Sequence, residues 1–196
     1  MDEIVFVTHN KGKIASAERS LKGIRFITYD YVLEEPRSYD LKEIVTAKVK
    51  QAYEMVQRPC IALDSGFFIE ELNGFPRAFV NFALETIGIK GILKLMEGKI
   101  NRKCSFKECL AYHDGKKIRY FWGESKGNLT EKIIGKDRED KWSALWYIFV
   151  PEGYQKTLAQ MAPEERQARE YGTDYTDSMK EFAKWYKENM EGEKSK

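Results

Sequence analysis

A run of six residues near the amino terminus, Thr8-His9-Asn10-Lys11-Gly12-Lys13, has the makings of an anion-binding turn. It follows Ile4-Val5-Phe6-Val7, which reads as a buried strand. A helix is expected after it, from about Gly12 to Leu21, with Ile14, Ala17 and Leu21 on one face. Strand, polar turn and helix N-terminus together aim free backbone N–H groups and the positive end of the helix dipole at one spot, which suits phosphate. Thr8 and Asn10 can donate side-chain hydrogen bonds there, and Lys13 in the first helical turn can add a full charge. The second glycine and the Lys-Ser/Thr pair of a Walker A loop are absent. An ordinary first βα turn, capped by Thr8 or Asn10, accounts for the same residues.

Two further places hold charge where charge needs a reason. Leu41 to Gln57 reads as a helix whose apolar stripe is Leu41, Ile44, Val45, Ala52 and Val56, and Lys48 lies on that stripe. Its ammonium either snorkels to water along a buried stem or emerges beside an anion. Cys60-Ile61-Ala62-Leu63 reads as a short buried strand that ends in Asp64-Ser65-Gly66, followed by a second strand or extended piece from Phe67 to Leu72. An Asp at a strand end is a common metal-binding carboxylate in α/β proteins, and the same tripeptide is a common turn. At such an end Asp64 is expected to be exposed, so that Asp64→Asn should leave the fold intact. Glu34-Glu35-Pro36-Arg37 is an acidic turn that gains meaning only if another acid converges on it.

The elements that must position these groups follow in order. The chain of 196 residues is long enough for one compact domain with a real core, expected over residues 1–190 with a frayed tail at 191–196. A second strand is expected from Ile24 to Tyr29, a helix from Ile87 to Met96, and a strand from Lys103 to His113. Asp114-Gly115 signals a hairpin whose return strand carries Ile118, Tyr120 and Trp122. Trp142 to Val150 reads as an aromatic strand, Thr157 to Arg169 as a helix or helical turn entered at Pro163, and Asp177 to Met190 as the last helix.

Composition excludes several function classes. Lys and Arg number 33 against 31 Asp and Glu, a net charge of +2, with both signs spread along the chain. That argues against a dedicated nucleic-acid surface. No apolar run approaches membrane-spanning length, and Met1-Asp2-Glu3 is the wrong start for a signal peptide. Cys60, Cys104 and Cys109 form no C-x-x-C pair and read as reduced thiols of a cytoplasmic protein. With His9 and His113 as its histidines, the chain has little material for a His-based zinc site.

Several segments, in order and over nearly the whole chain, resemble the inosine/xanthosine triphosphate pyrophosphatase family. Thr8-His9-Asn10-Lys11-Gly12-Lys13 is similar to its T-x-N-x-x-K phosphate loop, and Leu63-Asp64-Ser65-Gly66-Phe67 to its D-D-S-G-L metal segment. Asn73-Gly74-Phe75-Pro76 continues that segment, and Thr86 to Met96 looks like archaeal members. Pro151-Glu152-Gly153-Tyr154-Gln155-Lys156-Thr157-Leu158-Ala159-Gln160-Met161, with Glu164-Glu165-Arg166, resembles P-x-G-x-x-K-T-F-A-E-M…E-E-K. The resemblance implies an α/β fold, a long mixed central sheet with two lobes and a nucleotide-binding cleft between them. It implies a Mg²⁺-dependent homodimer that hydrolyses non-canonical nucleoside triphosphates to the monophosphate and pyrophosphate. Carried onto matching positions, Lys13 and Lys48 would hold phosphates. Glu35 and Asp64 would hold magnesium, Asp64 also placing or deprotonating the attacking water. Thr8 to Gly12, Ser65, Trp146 and Arg166, the last standing for a family lysine, would touch the substrate.

The departures bear on activity and specificity. The first Asp of D-D-S-G is Leu63, and the acid three residues after the phosphate-loop lysine is Ser16. The base-reading F-G-Y/W-D segment aligns with Ser143-Ala144-Leu145-Trp146, and the later S-H-R falls near Glu170-Tyr171-Gly172. The G-V-Y-S stretch is Arg77-Ala78-Phe79-Val80. Losing one electrostatic contact at such a site can cost roughly two to three orders of magnitude in rate. Three readings therefore stand: a pyrophosphatase with altered base preference, a nucleotide-binding protein that has lost catalysis, and a hydrolase of the same fold acting on another phosphorylated ligand. In place of the lost base-reading side chains the chain offers Trp142, Trp146 and Tyr171, with Arg77 and Arg169 nearby in sequence, unless these rings belong to the core or an interface.

Overall fold

The computed structural model describes residues 3–137, 141–169 and 175–191. β1 (Ile4–Val7) leads through α1 (Lys11–Ser20) to β2 (Phe26–Tyr29), and α2 (Leu41–Val56) then leads to β3 (Cys60–Ile69). β4 (Pro76–Arg77), α3 (Val80–Thr86) and α4 (Gly88–Leu95) follow. β5 (Lys103–His113) and β6 (Ile118–Leu129) are the two long strands after them. β7 (Phe149–Pro151), α5 (Pro163–Arg169), β8 (Tyr175–Thr176) and α6 (Ser178–Glu191) complete the order. The sheet is mixed: the strands run β2-β1-β3-β5-β6-β7, with β4 on β3 and β8 on β6. β1 is parallel to β2 and β3, while β4, β7 and β8 are antiparallel to their partners.

The chain divides into two compact units, and the boundaries fall within β3, β5 and β6. Unit one holds residues 1–65, 108–123 and 177–196; unit two holds 66–107 and 124–176. In unit one, β1, α1, β5 and α6 bring Ile4, Phe6, Ala17, Leu21, Tyr112, Phe182 and their neighbours into one cluster. In unit two, Phe67, Ile92, Met96, Leu145, Ile148 and Phe149 anchor another.

Local chemistry explains the element ends. Asn10 caps α1, its side chain accepting from the Lys13 N–H at 3.1 Å, and Asp40 caps α2 through the Lys42 N–H at 2.7 Å. Gln57 adopts the left-handed conformation that ends α2. Asp114 Oδ1 accepts from the Lys116 and Lys117 N–H groups and closes the turn between β5 and β6. Asp177 receives the Met179 and Lys180 N–H groups at the start of α6.

Three expectations are corrected. Asp64-Ser65-Gly66 is no turn, because β3 runs through it as one ten-residue strand. Gly66 serves close approach: a Cβ there would sit 2.5 Å from the Arg77 carbonyl oxygen on β4. Trp142 to Val150 is mostly not strand. Ser143 caps a 3₁₀ turn over Ala144–Tyr147 that buries Leu145 and Trp146, and strand begins at Phe149. The helix entered at Pro163 spans only Pro163–Arg169, and Thr157 instead bonds outward to the Ile134 carbonyl. α3 was not foreseen; Phe82 within it and the flanking Phe79 and Ile87 are exposed, so no continuous apolar stripe marks it. The segment near Glu170-Tyr171-Gly172 and the tail beyond residue 191 lie outside the described residues.

Candidate active site

The four charged residues named from the sequence, Glu35 among them through the family resemblance, converge in unit one. Lys13 comes from the first turn of α1, Glu35 from the coil after β2, Lys48 from the middle of α2 and Asp64 from the middle of β3. Asp64 Oδ1 lies 3.2 Å from Lys48 Nζ and 3.5 Å from Lys13 Nζ. Lys48 Nζ also donates to Glu35 Oε1 at 2.7 Å. Lys13 Nζ donates to the Leu63 carbonyl at 2.8 Å.

The strand's alternation assigns these roles. Leu63 faces the unit-one cluster, so the next residue, Asp64, projects from the opposite face of β3 toward α2 and Lys48. The lysine on the apolar stripe of α2 therefore does not snorkel to open water; it meets two carboxylates. Asp64 is itself buried, at 7% exposure, which corrects the expectation of an exposed strand end. Its side chain belongs to a through-running strand and is met by two lysine ammoniums.

The lysines differ in charge balance. Burial is the largest influence on Lys13 and holds its pKa below the usual lysine range; the attraction of Asp64 does not compensate, and the charge on Lys48 adds to the lowering. Burial is also the largest single influence on Lys48, yet Asp64 and Glu35 together outweigh it and raise its pKa. Lys13 is thus the under-compensated cation, and an arriving anion would restore its balance.

The turn before α1 is both a cap and a cation carrier. Asn10 bonds the Lys13 N–H, and Thr8 Oγ1 accepts from the Asn10 N–H at 3.1 Å. His9, Asn10, Lys11 and Gly12 are exposed at the same turn, and Ser65 is exposed beside Asp64. Trp146 and Arg166 lie in unit two. Trp146 is buried at 5% exposure, with the Arg166 guanidinium 4.8 Å from its ring centroid and Trp142 edge-on at 5.7 Å. The Trp146 indole N–H has no hydrogen-bond partner among the described residues.

Sequence reasoning missed Glu108. This residue of β5 accepts from both the Ser178 N–H and the Ser178 hydroxyl at 2.8 Å, and Gly123 leaves the space it fills. The signal was present: Glu108 sits at the same parity as Phe106, Leu110 and Tyr112, a carboxylate in an apolar row.

Among the described residues no group of three or more His, Cys, Asp or Glu side chains forms a metal cage. Glu35 and Asp64 are two hard oxygen donors gathered around one ammonium. That set fits Mg²⁺, which is held by one or two carboxylates with its remaining positions taken by waters and substrate phosphates. No helix among the described residues is long and apolar enough to cross a membrane.

Known proteins resemble this chain in sequence and in fold. Residues 4–172 match the model of the Ham1 family. The dITP/XTP pyrophosphatase of Thermococcus kodakarensis is 34% identical over 189 residues, 95% of this chain and 98% of that protein. The dITP/XTP pyrophosphatase of Methanopyrus kandleri is 35% identical over 195 residues, 97% of this chain and 99% of that protein. The fold matches the Staphylococcus aureus Ham1 protein with a TM-score of 0.76 at 22% identity, over 98% of this chain and 100% of that one. It matches a HAM1 protein from Coxiella burnetii with a TM-score of 0.80 at 19% identity, over 96% and 100% of the two chains. With a family model covering most of its length and relatives this similar end to end, the chain belongs to the Ham1 family.

Proposed function

We propose that the protein hydrolyses nucleoside triphosphates to nucleoside monophosphate and pyrophosphate, with Mg²⁺ held by Glu35 and Asp64. The convergence of Lys13, Lys48, Glu35 and Asp64 carries this reading, and the activity named for its archaeal relatives supports it. Breaking the bond between the α-phosphorus and the bridging oxygen needs an aligned water and neutralisation of the leaving pyrophosphate. Lys13 and Lys48 supply that neutralisation, and Lys13, whose charge is under-compensated, gains most from the phosphate. Both ammoniums address Oδ1 of Asp64. Its Oδ2 is the atom we assign to orient the water and accept its proton. Bound Mg²⁺ would clamp phosphate oxygens and acidify a water. The turn from the half-buried Thr8 to the exposed Gly12, together with Ser65, would line the phosphate end. The same proposal includes the homodimer that the resemblance implies and the cytoplasmic location read from the reduced cysteines.

The base is read differently in this chain. At the base-reading segment stand Leu145, buried in the unit-two core, and Trp146, stacked by Arg166. Rings give affinity with little discrimination, and a site without paired hydrogen bonds to a 6-keto edge rejects its amino analogue poorly. We infer a weak preference for inosine and xanthosine triphosphates over canonical ones, or a preference for another modified nucleotide.

The test is pyrophosphate release across a panel of canonical and modified triphosphates with Mg²⁺, for wild type and Asp64→Asn. Turnover in the wild type, its loss in Asp64→Asn and comparable specificity constants for inosine and adenosine triphosphates are expected. Full activity in Asp64→Asn would remove our assignment of the metal and water ligand. A preference for inosine of about a hundredfold, the discrimination a built pocket reaches, would overturn the specificity argument alone. A wild type that binds a triphosphate but turns none over would favour a degenerate nucleotide-binding protein, in which Leu63 no longer supplies the family's acid.

A further inference from the structure

Glu35 is the weakest point of the site by ordinary packing. Its side chain is 57% exposed and it lies in the coil between β2 and α2, where no regular backbone ladder holds it. A carboxylate on such a segment loses conformational freedom when it is fixed beside Lys48. Something must therefore constrain the coil.

Two contacts do. Leu33 is buried at 6% exposure. The next residue is held at both of its backbone groups by one side chain: the Glu34 N–H donates to Gln51 Oε1 at 3.0 Å, and Gln51 Nε2 donates to the Glu34 carbonyl at 2.8 Å. Gln51 sits on α2 three residues after Lys48, so the two side chains are neighbours on the helix surface. One turn of α2 thus carries both the clamp on the coil and the ammonium that receives Glu35 Oε1 at 2.7 Å. The amide matches the Glu34 backbone as a strand partner would, donor to acceptor and acceptor to donor. No other common side chain of that length does so without a charge.

We propose that Gln51 is the positioning residue that holds the Glu35 carboxylate beside Lys48 and Asp64, and so sets the affinity of the site for a divalent cation. This rests on the metal reading above, but it concerns binding and can be measured without turnover. Gln51 touches neither the metal nor the substrate in this arrangement. Partners that orient a metal ligand typically contribute about 10–100-fold in affinity.

Mn²⁺ is the probe, titrated by electron paramagnetic resonance in the presence of inorganic tripolyphosphate. Gln51→Ala is expected to weaken Mn²⁺ about tenfold and to speed amide hydrogen exchange over residues 30–40. It should raise the Mg²⁺ concentration needed for half-maximal turnover while leaving kcat at saturating Mg²⁺ nearly unchanged. Gln51→Glu keeps an acceptor for the Glu34 N–H, opposes the Glu34 carbonyl, and should also weaken Mn²⁺. In a Glu35→Gln background, Gln51→Ala should have no further effect on Mn²⁺. A merely structural role for Gln51 predicts equal losses in both backgrounds, and that result overturns the proposal. So does Mn²⁺ affinity in Gln51→Ala within about twofold of wild type, or a wild type that binds no Mn²⁺. If the wild type releases no pyrophosphate but Gln51→Ala weakens Mn²⁺ as stated, the catalytic reading fails and this one stands.

Discussion

At the scale of single residues, the candidate site is a balance between burial and charge. Asp64 draws two lysine ammoniums to one oxygen, and each lysine responds differently because only Lys48 also has Glu35. Removing the Asp64 charge leaves two cations short of a partner, so Asp64→Asn is expected to lower stability. Glu108 shows the opposite sign. Burial, then the nearby charge of Asp177, raises its pKa above the ordinary 4.5; the Ser178 hydrogen bonds and Lys13 pull the other way without cancelling this. An acid whose pKa rises on folding contributes stability below its unfolded pKa and loses it as pH climbs through the folded value. Glu108→Gln keeps an acceptor for Ser178 and removes that penalty. It is expected to be more stable than wild type at pH 7, with the advantage vanishing as pH falls to about 4.5, the unfolded value. Urea midpoints of both proteins at the two pH values check this. A variant less stable at pH 7 would show that the charged hydrogen bonds to Ser178 outweigh the burial of Glu108.

At the scale of elements, β3 is the organising piece. One strand brings Leu63 to the core, Asp64 to the lysines and Gly66 against β4. A Cβ at residue 66 would lie 2.5 Å from the Arg77 oxygen and 2.9 Å from its carbonyl carbon. Both are backbone atoms, which cannot swing aside as a side chain does. Gly66→Ala should therefore lower unfolding stability by about 1–3 kcal/mol, the usual range for overpacking, measured from denaturant curves. An unchanged midpoint would mean that β4 shifts freely and does not depend on this approach.

At the scale of the whole molecule, each unit is held by its own buried aromatic residues. Phe182 in unit one packs with Tyr112, Phe121 and Tyr186, with centroids 5.3–5.5 Å apart. Phe149 in unit two packs with Phe106 at 4.9 Å and Phe67 at 6.0 Å. Both are fully buried. Phe182→Ala and Phe149→Ala are each expected to lower stability by about 3–5 kcal/mol, read from the unfolding midpoint. A loss well under about 1 kcal/mol at either position would show that its cluster is not the core of its unit. Lys13, Glu35, Lys48 and Asp64 belong to unit one, and Trp146 and Arg166 to unit two. Truncation of Phe182 thus acts in the unit that holds the charged cluster, and truncation of Phe149 in the unit that holds Trp146 and Arg166.

Local pattern was enough to read β1, the capped start of α1, the long α2 stripe, β5 and its turn, because hydrophobic period and capping chemistry act within a few residues. The Ham1 membership was legible too, since its short motifs keep their order along the chain. The candidate acids and lysines could be named for the same reason. Their meeting was implied by the family resemblance and not by local pattern, because it depends on contacts between residues far apart in sequence: Lys13 with Leu63 and Asp64, and Lys48 with Glu35 and Asp64. The Asp64-Ser65-Gly66 tripeptide misled because Gly has two physical uses, turning the chain and admitting a neighbouring backbone, and only the position of Arg77 distinguishes them. Trp142 to Val150 misled because aromatic content favours strand locally, while the Ser143 cap and the burial of Leu145 and Trp146 impose a 3₁₀ turn. Gln51 and Glu108 carry no motif at all. Their partners, the backbone of Glu34 and the first turn of α6, are 17 and 70 residues away in the chain, and tertiary structure alone brings them within hydrogen-bond reach.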